Sequence, residues 1–220
     1  MQLRYLIFNA ARWLKRPFSR YARGHRMDKF IAEMELREGD RVIDLGGQPE
    51  FWDTCPVPLE ITVLNLPGET RQVNANTIHR IDIVEGDACN VDFAADGSYD
   101  IAFSNSVIEH VGPPDYQRRI AGEARRLAWR YWVQTPSVWF PIEAHNHMPF
   151  WWFYPAFLKA YLIRRWKKKL PVWTEMIEGT TVISRRSLST MFPDAEIWTE
   201  RFLGWPKSYA AFRKQDRDAL

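Results

Sequence analysis

A short apolar segment that ends in an acid and two glycines is the feature that most constrains the fold of this chain. Residues 41–45 (RVIDL) lie between the turn Gly39-Asp40 and the pair Gly46-Gly47. An apolar run bounded by turn residues predicts a strand that is buried on both faces. Glycines directly after such a strand let the backbone pass close to a ligand, because no Cβ intervenes. Taken alone, the pattern also fits a tight turn that holds no ligand.

Further apolar runs along the chain predict additional strands. They are 60–66 (EITVLNL), 81–86 (IDIVEG), 99–104 (YDIAFS) and 130–134 (RYWVQ), with 180–184 (TTVIS) and the tail from residue 196 as further candidates. Helices are predicted over 27–36 and over the amphipathic segment 114–127. Strands that alternate with connecting or helical segments indicate an α/β fold, a doubly wound and mostly parallel sheet with flanking helices.

The 220 residues fit one domain, which we divide into four parts. Residues 1–38 are predicted to be an N-terminal helical cap or lid, and 39–135 the core of the sheet. Residues 136–178 are predicted to be an irregular aromatic-rich insertion after strand five, and 179–220 to complete the sheet. No run reaches the roughly 18–20 apolar residues that a membrane-spanning helix needs. Cys55 and Cys89 have no pairing or metal-ligand spacing, which predicts two reduced thiols in a cytoplasmic protein.

Polar residues follow several of the predicted strands where each one ends. Asn65 ends the second strand, Gly86-Asp87-Ala88 follows the third, and the segment 104–111 (SNSVIEHV) follows the fourth. In an open α/β sheet, ligands bind outside the carboxyl ends of the strands. These groups are therefore expected to meet at one edge and to form a binding site.

In these residues the sequence resembles the class I SAM-dependent methyltransferases, particularly those that act on small molecules, glycans or lipids. The resemblance covers about residues 40–135, and residues 98–111 (SYDIAFSNSVIEHV) match the family's stretch after strand four closely. It implies a Rossmann-like fold, SAM as the cofactor and transfer of a methyl group to a hydroxyl or an amine. A nicotinamide-binding protein would normally show G-x-G-x-x-G, which is absent here.

The resemblance also implies a role for each cofactor-binding position. Asp44, Gly46 and Gly47 would surround the amino-acid part of SAM, and Asn65 would replace the acid that usually holds the ribose. Asp87 would accept a hydrogen bond from the adenine amine, Ala88 would supply a backbone contact, and Asn105 would lie beneath the cofactor near the methyl group.

Three positions depart from the family pattern. Gln48 and Glu50 stand where the family has glycine, and Asn65 lacks the charge of a carboxylate. We expect weaker or differently posed SAM binding. The same departures are the main argument for a different interpretation, a non-catalytic protein that uses the fold to bind a partner or a membrane.

The segment after strand five is predicted to lie over the acceptor side of the site. Glu143 and His145 are two residues apart, so a carboxylate could orient the imidazole as a general base. The alternative is that the pair only pins the loop by hydrogen bonds. His110 is expected to order the strand-four loop rather than to act chemically. No metal is predicted, because His145 and His147 lack a cysteine or an evident third ligand nearby.

Aromatic and basic residues are concentrated in residues 149–170 (PFWWFYPAFLKAYLIRRWKKKL). This composition is typical of a surface that rests on an anionic bilayer, and the basic amphipathic segment 1–23 could act in the same way. The alternative is a packed helix with a solvated basic end. Basic residues among aromatic ones also suit an RNA methyltransferase, but no RNA-binding module is recognisable and the net charge is only +3. The protein is therefore expected to be cytoplasmic, with possible peripheral contact at a membrane, and nucleic acid is not expected as a partner.

Overall fold

The computed structural model describes residues 23–69 and 72–214. Seven strands are formed in this part of the chain: β1 (Arg41–Leu45), β2 (Glu60–Asn65), β3 (Arg80–Glu85), β4 (Tyr99–Asn105), β5 (Ala128–Pro136), β6 (Glu196–Phe202) and β7 (Trp205–Arg213). The helices of the same part are α1 (23–34), α2 (Pro114–Leu127), α3 (Ala156–Lys167), α4 (Pro171–Gly179) and α5 (Arg185–Met191). Short 3-10 helices cover Pro49–Thr54 and Trp151–Phe153.

All seven strands belong to one sheet in the order β3-β2-β1-β4-β5-β7-β6. Strands β1 to β5 pair in parallel, whereas β7 runs antiparallel to both of its neighbours, β5 and β6. After β1 the chain builds outward to β2 and β3, and it then returns to place β4 on the other side of β1. The carboxyl ends of β1 and β4 therefore form a topological switch point, where sheets of this kind bind ligands. The predicted Rossmann-like α/β fold is confirmed.

Alternating side chains of the strands build a hydrophobic core on each face of the sheet. On β1, Ile43 and Leu45 pack on the face that α2 and α5 cover, whereas Val42 packs on the face that α1 covers. Strand β4 repeats the alternation, with Ala102 on the first face and Phe103 on the second. Strands buried on both faces read as continuous apolar runs, which is why the sequence pattern located them.

Three predictions about the elements need correction. Residues 180–184 are not a strand, because the Thr181 N–H donates to the carbonyl of Glu109 at 2.8 Å instead of joining a sheet edge. The insertion 136–178 is not irregular throughout, since it contains the helices α3 and α4. The helix predicted over 27–36 ends at residue 34, ahead of Glu35, which has a positive φ of 47°.

The predictions for the N-terminal segment lie mostly outside the described residues. The lid helix and the membrane contact predicted for residues 1–23 fall almost entirely in residues 1–22. In the part that is described, no helix has the length and apolarity needed to cross a membrane. Cys55 and Cys89 are free and buried.

Candidate active site

The turn after β1 requires glycine at both of its positions. Gly46 has a φ of +82°, and its N–H donates to the carbonyl of Leu64 at 2.8 Å. A Cβ on Gly46 would lie 2.5 Å from Cγ1 of Val107, and one on Gly47 would lie 1.8 Å from Oδ2 of Asp44. The turn is therefore packed tightly between the Asp44 carboxyl group and the loop that follows β4.

Asp44 supports this turn from inside the protein. Its side chain is fully buried, and Oδ2 accepts a hydrogen bond from Nε1 of Trp52 at 2.9 Å. Its other oxygen, Oδ1, is buried and has no hydrogen-bond partner among the described residues. Burial raises the pKa of Asp44 to about 7, although the Trp52 hydrogen bond acts in the opposite direction. Asp44 therefore positions the glycine turn, and its contact with the amino-acid part of SAM stays a prediction.

Replacing Asp44 by asparagine is expected to change how stability depends on pH. The carboxyl group of wild-type Asp44 has an ordinary pKa of 3.8 and a folded pKa of about 7. At pH values between these two, the group takes up a proton when the chain folds. The free energy of unfolding therefore falls as the pH rises through this range. Asparagine does not titrate, so the variant should gain about 2–3 kcal/mol relative to wild type between about pH 5 and about pH 8. Urea unfolding of both proteins at a series of pH values measures this difference. A difference that stays constant with pH would show that the pKa of Asp44 is not raised.

Two of the three side chains that depart from the family pattern hold the glycine turn and its surroundings in place. Nδ2 of Asn65 donates to the carbonyl of Gly47 at 2.6 Å. Nε2 of Gln48 donates to the carbonyl of Glu69 at 3.0 Å. This bond uses one of the two amide hydrogens of Asn65, so the second hydrogen and the amide oxygen are left for the predicted ribose contact.

Asp87 and Ala88 lie in the turn that follows β3. The Gly86 N–H donates to the carbonyl of Asn65 at 2.8 Å, which brings this turn to the end of β2. Asp87 is exposed, and its Oδ1 accepts from the backbone N–H of Cys89 at 2.8 Å. The carboxylate is thus fixed in direction and accessible from solvent.

Asn105, at the end of β4, belongs to a buried polar network that the sequence did not reveal. Nη1 of Arg26 donates to Oδ1 of Asn105 at 2.6 Å and to Oε1 of Gln134 at 3.2 Å. The same guanidinium group forms an ion pair with Glu200, with 2.9 Å between Nη2 and Oε2. Burial alone would raise the pKa of Glu200, but the charge of Arg26 and a hydrogen bond from Ser208 hold it below its ordinary value. Arg26 therefore ties α1 to the ends of β4, β5 and β6.

A cavity of about 660 Å³ opens on the acceptor side of this network. Its floor is polar and includes Arg26, Glu109, Gln134 and His145. Its walls are largely apolar and include Val138, Phe140, Ile142, Trp152, Phe202 and Leu203. The volume lies in the range of about 300–1,000 Å³ that is typical of small-molecule sites.

Glu143 and His145 form the predicted pair, although in a turn rather than in an extended stretch. Nδ1 of His145 lies 2.8 Å from Oε1 of Glu143. The other carboxylate oxygen accepts from the backbone N–H groups of His145 and Asn146. Burial would raise the pKa of Glu143, but the hydrogen bonds from His145 and from the backbone lower it.

The fold adds His110 to this pair. Thr180 donates its only hydroxyl hydrogen to the Met176 carbonyl at 2.8 Å, so its oxygen accepts from Nδ1 of His110 at 3.2 Å. Nε2 of His110 is then an acceptor, and it lies 2.9 Å from Nε2 of His145. His145 therefore donates from both ring nitrogens.

The electrostatics of the two imidazoles agree with this assignment. Burial and the neighbouring His145 lower the pKa of His110 to about 4. Burial would also lower the pKa of His145, but the hydrogen bond to Glu143 and the nearby carboxylates raise it. With both nitrogens protonated, His145 has no lone pair to offer. Its role as a general base stays a prediction, one that this arrangement does not favour.

Glu109 completes the group on the acceptor side. Its side chain is buried, and Oε2 accepts from the hydroxyl of Thr135 at 3.1 Å. Oε1 is buried and has no partner among the described residues. Burial raises the pKa of Glu109 to about 7. Sequence reasoning did not select Glu109, although its position beside His110 in the segment after β4 was a usable signal.

Comparisons with known proteins bear on the fold of the chain. Residues 52–128 match the model of a family described as a methyltransferase domain. No curated protein matches the sequence of the chain. Among solved structures, an O-methyltransferase family protein from Burkholderia thailandensis is similar with a TM-score of 0.55 and 14% identity, over 91% of this chain and 56% of that one.

Several similar structures contain S-adenosylhomocysteine (SAH), among them the following two. The N-terminal domain of EvdMO1, with SAH bound, has a TM-score of 0.54 at 14% identity over 88% of this chain and 81% of that one. Magnesium protoporphyrin IX methyltransferase from Synechocystis PCC 6803, with bound SAH, has a TM-score of 0.53 at 12% identity, over 88% of this chain and 84% of that one. The chain therefore has the Rossmann-like fold of class I SAM-dependent methyltransferases, and its residues 52–128 match the methyltransferase domain family.

Proposed function

We propose that the chain is a SAM-dependent methyltransferase that methylates a hydroxyl group of an amphipathic small molecule, glycan or lipid. One observation carries the proposal: the acceptor cavity adjoins the glycine turn at the switch point of the sheet. Ser106 lines the cavity, and the next residue, Val107, packs directly on Gly46. A cofactor on the turn and an acceptor in the cavity would therefore meet at the end of β4.

The residues at the switch point fit SAM. The half-buried turn at Gly46 and Gly47 offers backbone to the amino-acid part, and exposed Asp87 offers an acceptor to the adenine amine. When bound, SAM supplies a methyl group on a positively charged sulfur. Chain residues then need only to align the acceptor oxygen and to exclude water. Arg26 fixes Asn105 by a hydrogen bond, and the apolar walls of the cavity would exclude water from an acceptor bound there.

The surface of α3 favours an acceptor presented at a membrane. This helix has no buried residue, and Phe157 and Tyr161 are 76% and 53% exposed. Lys168 and Lys169 follow directly at its exposed carboxyl end. Exposed rings next to cations suit the headgroup region of an anionic bilayer. A lipid or a lipid-linked glycan is therefore the acceptor class that we favour.

Transfer of a labelled methyl group from SAM tests the function and the acceptor class together. Acceptor lipids and lipid-linked glycans are presented in vesicles that contain anionic lipid, and soluble phenols and sugars are presented in buffer. We expect labelled product from the vesicles. The double variant Lys168→Glu/Lys169→Glu should lower this rate at least about tenfold, because each cation near the surface contributes about 1 kcal/mol to binding.

The matched control carries the same change of charge on another surface. Arg37 and Arg80 are exposed. Arg37 precedes β1 and Arg80 is the first residue of β3, so both lie at the amino ends of the strands, at the opposite edge of the sheet from the cavity. Arg37→Glu/Arg80→Glu should leave transfer to vesicles within about twofold of wild type. Product from soluble acceptors alone would reject the lipid class but not methyl transfer. Binding of SAM without any labelled product across the panel would favour a non-catalytic role.

A further inference from the structure

Three potential metal ligands converge beside the acceptor cavity. Nε2 of His110 and Nε2 of His145 point at each other across 2.9 Å. A carboxylate oxygen of Glu109 lies in the same group, and the three ligand atoms are all within 4.8 Å of one another. The sequence predicts no metal because neither a cysteine nor a third ligand lies near His145 along the chain. The fold supplies the missing ligands from the loop after β4.

In both histidines the ring nitrogen Nδ1, which faces away from the other imidazole, forms a hydrogen bond, as it does in metal-binding histidines. Nδ1 of His145 is bonded to Glu143, and Nδ1 of His110 is bonded to the hydroxyl of Thr180. A ligating histidine almost always donates its second ring nitrogen to a carboxylate or another oxygen, which fixes the tautomer and the ring orientation. Each Nε2 is thereby left to face the centre of the group.

The third ligand has an unused donor atom. Oε1 of Glu109 is buried and has no hydrogen-bond partner among the described residues, and Glu109 lines the cavity. A buried carboxylate oxygen without a partner is costly, and a site that binds a cation accounts for it. This observation is independent of the contact between the two histidines.

We propose that Glu109, His110 and His145 bind one divalent transition metal ion, for which Zn²⁺ is the best match. Two histidines and one glutamate are a known Zn²⁺ ligand set that leaves a position open. Two nitrogens bound at about 2.1 Å to a tetrahedral ion are about 3.4 Å apart, so the two Nε2 atoms, now 2.9 Å apart, would separate slightly when the ion binds. In the metal-free chain one proton bridges these nitrogens, and the ion replaces that proton.

The open position of this site faces the acceptor cavity. A cation there would stabilise the oxygen anion that a hydroxyl acceptor becomes when its proton passes to water. This consequence rests on the proposed function, whereas the metal site itself does not. It would also explain how a hydroxyl is activated although His145 has no lone pair to offer.

Metal binding is tested on the full chain without SAM or an acceptor. After treatment with a chelator, the protein is titrated with Zn²⁺ by calorimetry and with Co²⁺ by visible absorption. We expect one equivalent of each ion to bind, with Co²⁺ bands typical of nitrogen and oxygen ligands. Glu109→Gln and His145→Ala should each weaken Zn²⁺ binding by more than about 100-fold, and Glu143→Gln by about 10- to 100-fold.

His147→Asn is the matched control. His147 lies two residues from His145 and also lines the cavity, but it is not part of the ligand group. Asparagine tolerates the positive φ of 60° at this position, so Zn²⁺ affinity should stay within about twofold of wild type. Absence of Zn²⁺ binding by folded wild-type protein, or equal affinity in the folded ligand variants, would overturn the proposal. If the chain binds SAH but not Zn²⁺, the metal site is rejected and the proposed function stands. If it binds Zn²⁺ but not SAH, the proposed function is rejected and the metal site stands.

Discussion

Gly47→Ala is expected to abolish binding of SAH while the rest of the sheet stays folded. A Cβ at this position would lie 1.8 Å from the carboxyl oxygen of Asp44, which is fully buried and hydrogen-bonded to Trp52. The turn must therefore shift outward, into the space that the amino-acid part of the cofactor would occupy. Calorimetric titration should show a loss of affinity of at least about 100-fold, or about 3 kcal/mol.

Gly122→Ala is the control for the effect of the added methyl group. Gly122 lies on the exposed face of α2, and a Cβ there meets nothing within 4 Å. The variant should bind SAH as wild type does and should be about 1 kcal/mol more stable, because alanine favours a helix interior. Unchanged SAH affinity in Gly47→Ala would contradict the placement of the cofactor on this turn.

Glu200→Gln is expected to destabilise the protein by about 3–5 kcal/mol, because it leaves the buried guanidinium group of Arg26 without its counter-ion. The side chains of Arg26 and Glu200 are only 9% and 3% exposed. Loss of the pair should also loosen α1, since Arg26 joins that helix to the ends of three strands. Urea unfolding measures the change in free energy, and hydrogen exchange of α1 amides reports its local effect.

The pair between Lys167 and Glu178 provides the comparison on the surface. Its Nζ and Oε2 atoms are 3.1 Å apart, but the side chains are 53% and 39% exposed. Glu178→Gln should therefore cost less than about 1 kcal/mol. If Glu200→Gln also lowered the free energy of unfolding by less than about 1 kcal/mol, the hydrogen bonds of Arg26 to Asn105 and Gln134 would be sufficient to stabilise its buried charge.

The sequence predicted the central strands because each one is buried on both faces. Strands β1 and β4 read as apolar runs followed by turn residues, and the structure places them where the pattern did. The same reasoning failed at 180–184, where β-branched residues again form an apolar run. There the hydrogen bonds go to Glu109 and His110, so tertiary contacts decide the conformation.

The candidate site was predictable in part. Positions at the ends of strands could be assigned, because strand order along the chain brings Gly46, Asp87 and Asn105 to one edge. The contacts of Arg26 with Glu200 and of His110 with His145 join residues that are 174 and 35 positions apart. No local pattern encodes such pairs, and they depend on how α1 and the insertion pack over the sheet.

Calorimetric titration of the wild-type chain with SAH tests the central claim most directly. The claim is that the glycine turn and the exposed Asp87 form a cofactor site at the switch point of the sheet. We predict one SAH molecule per chain at micromolar affinity, and displacement of SAH by SAM. A folded chain that binds neither compound would contradict the claim and would leave a methyltransferase fold that serves another purpose.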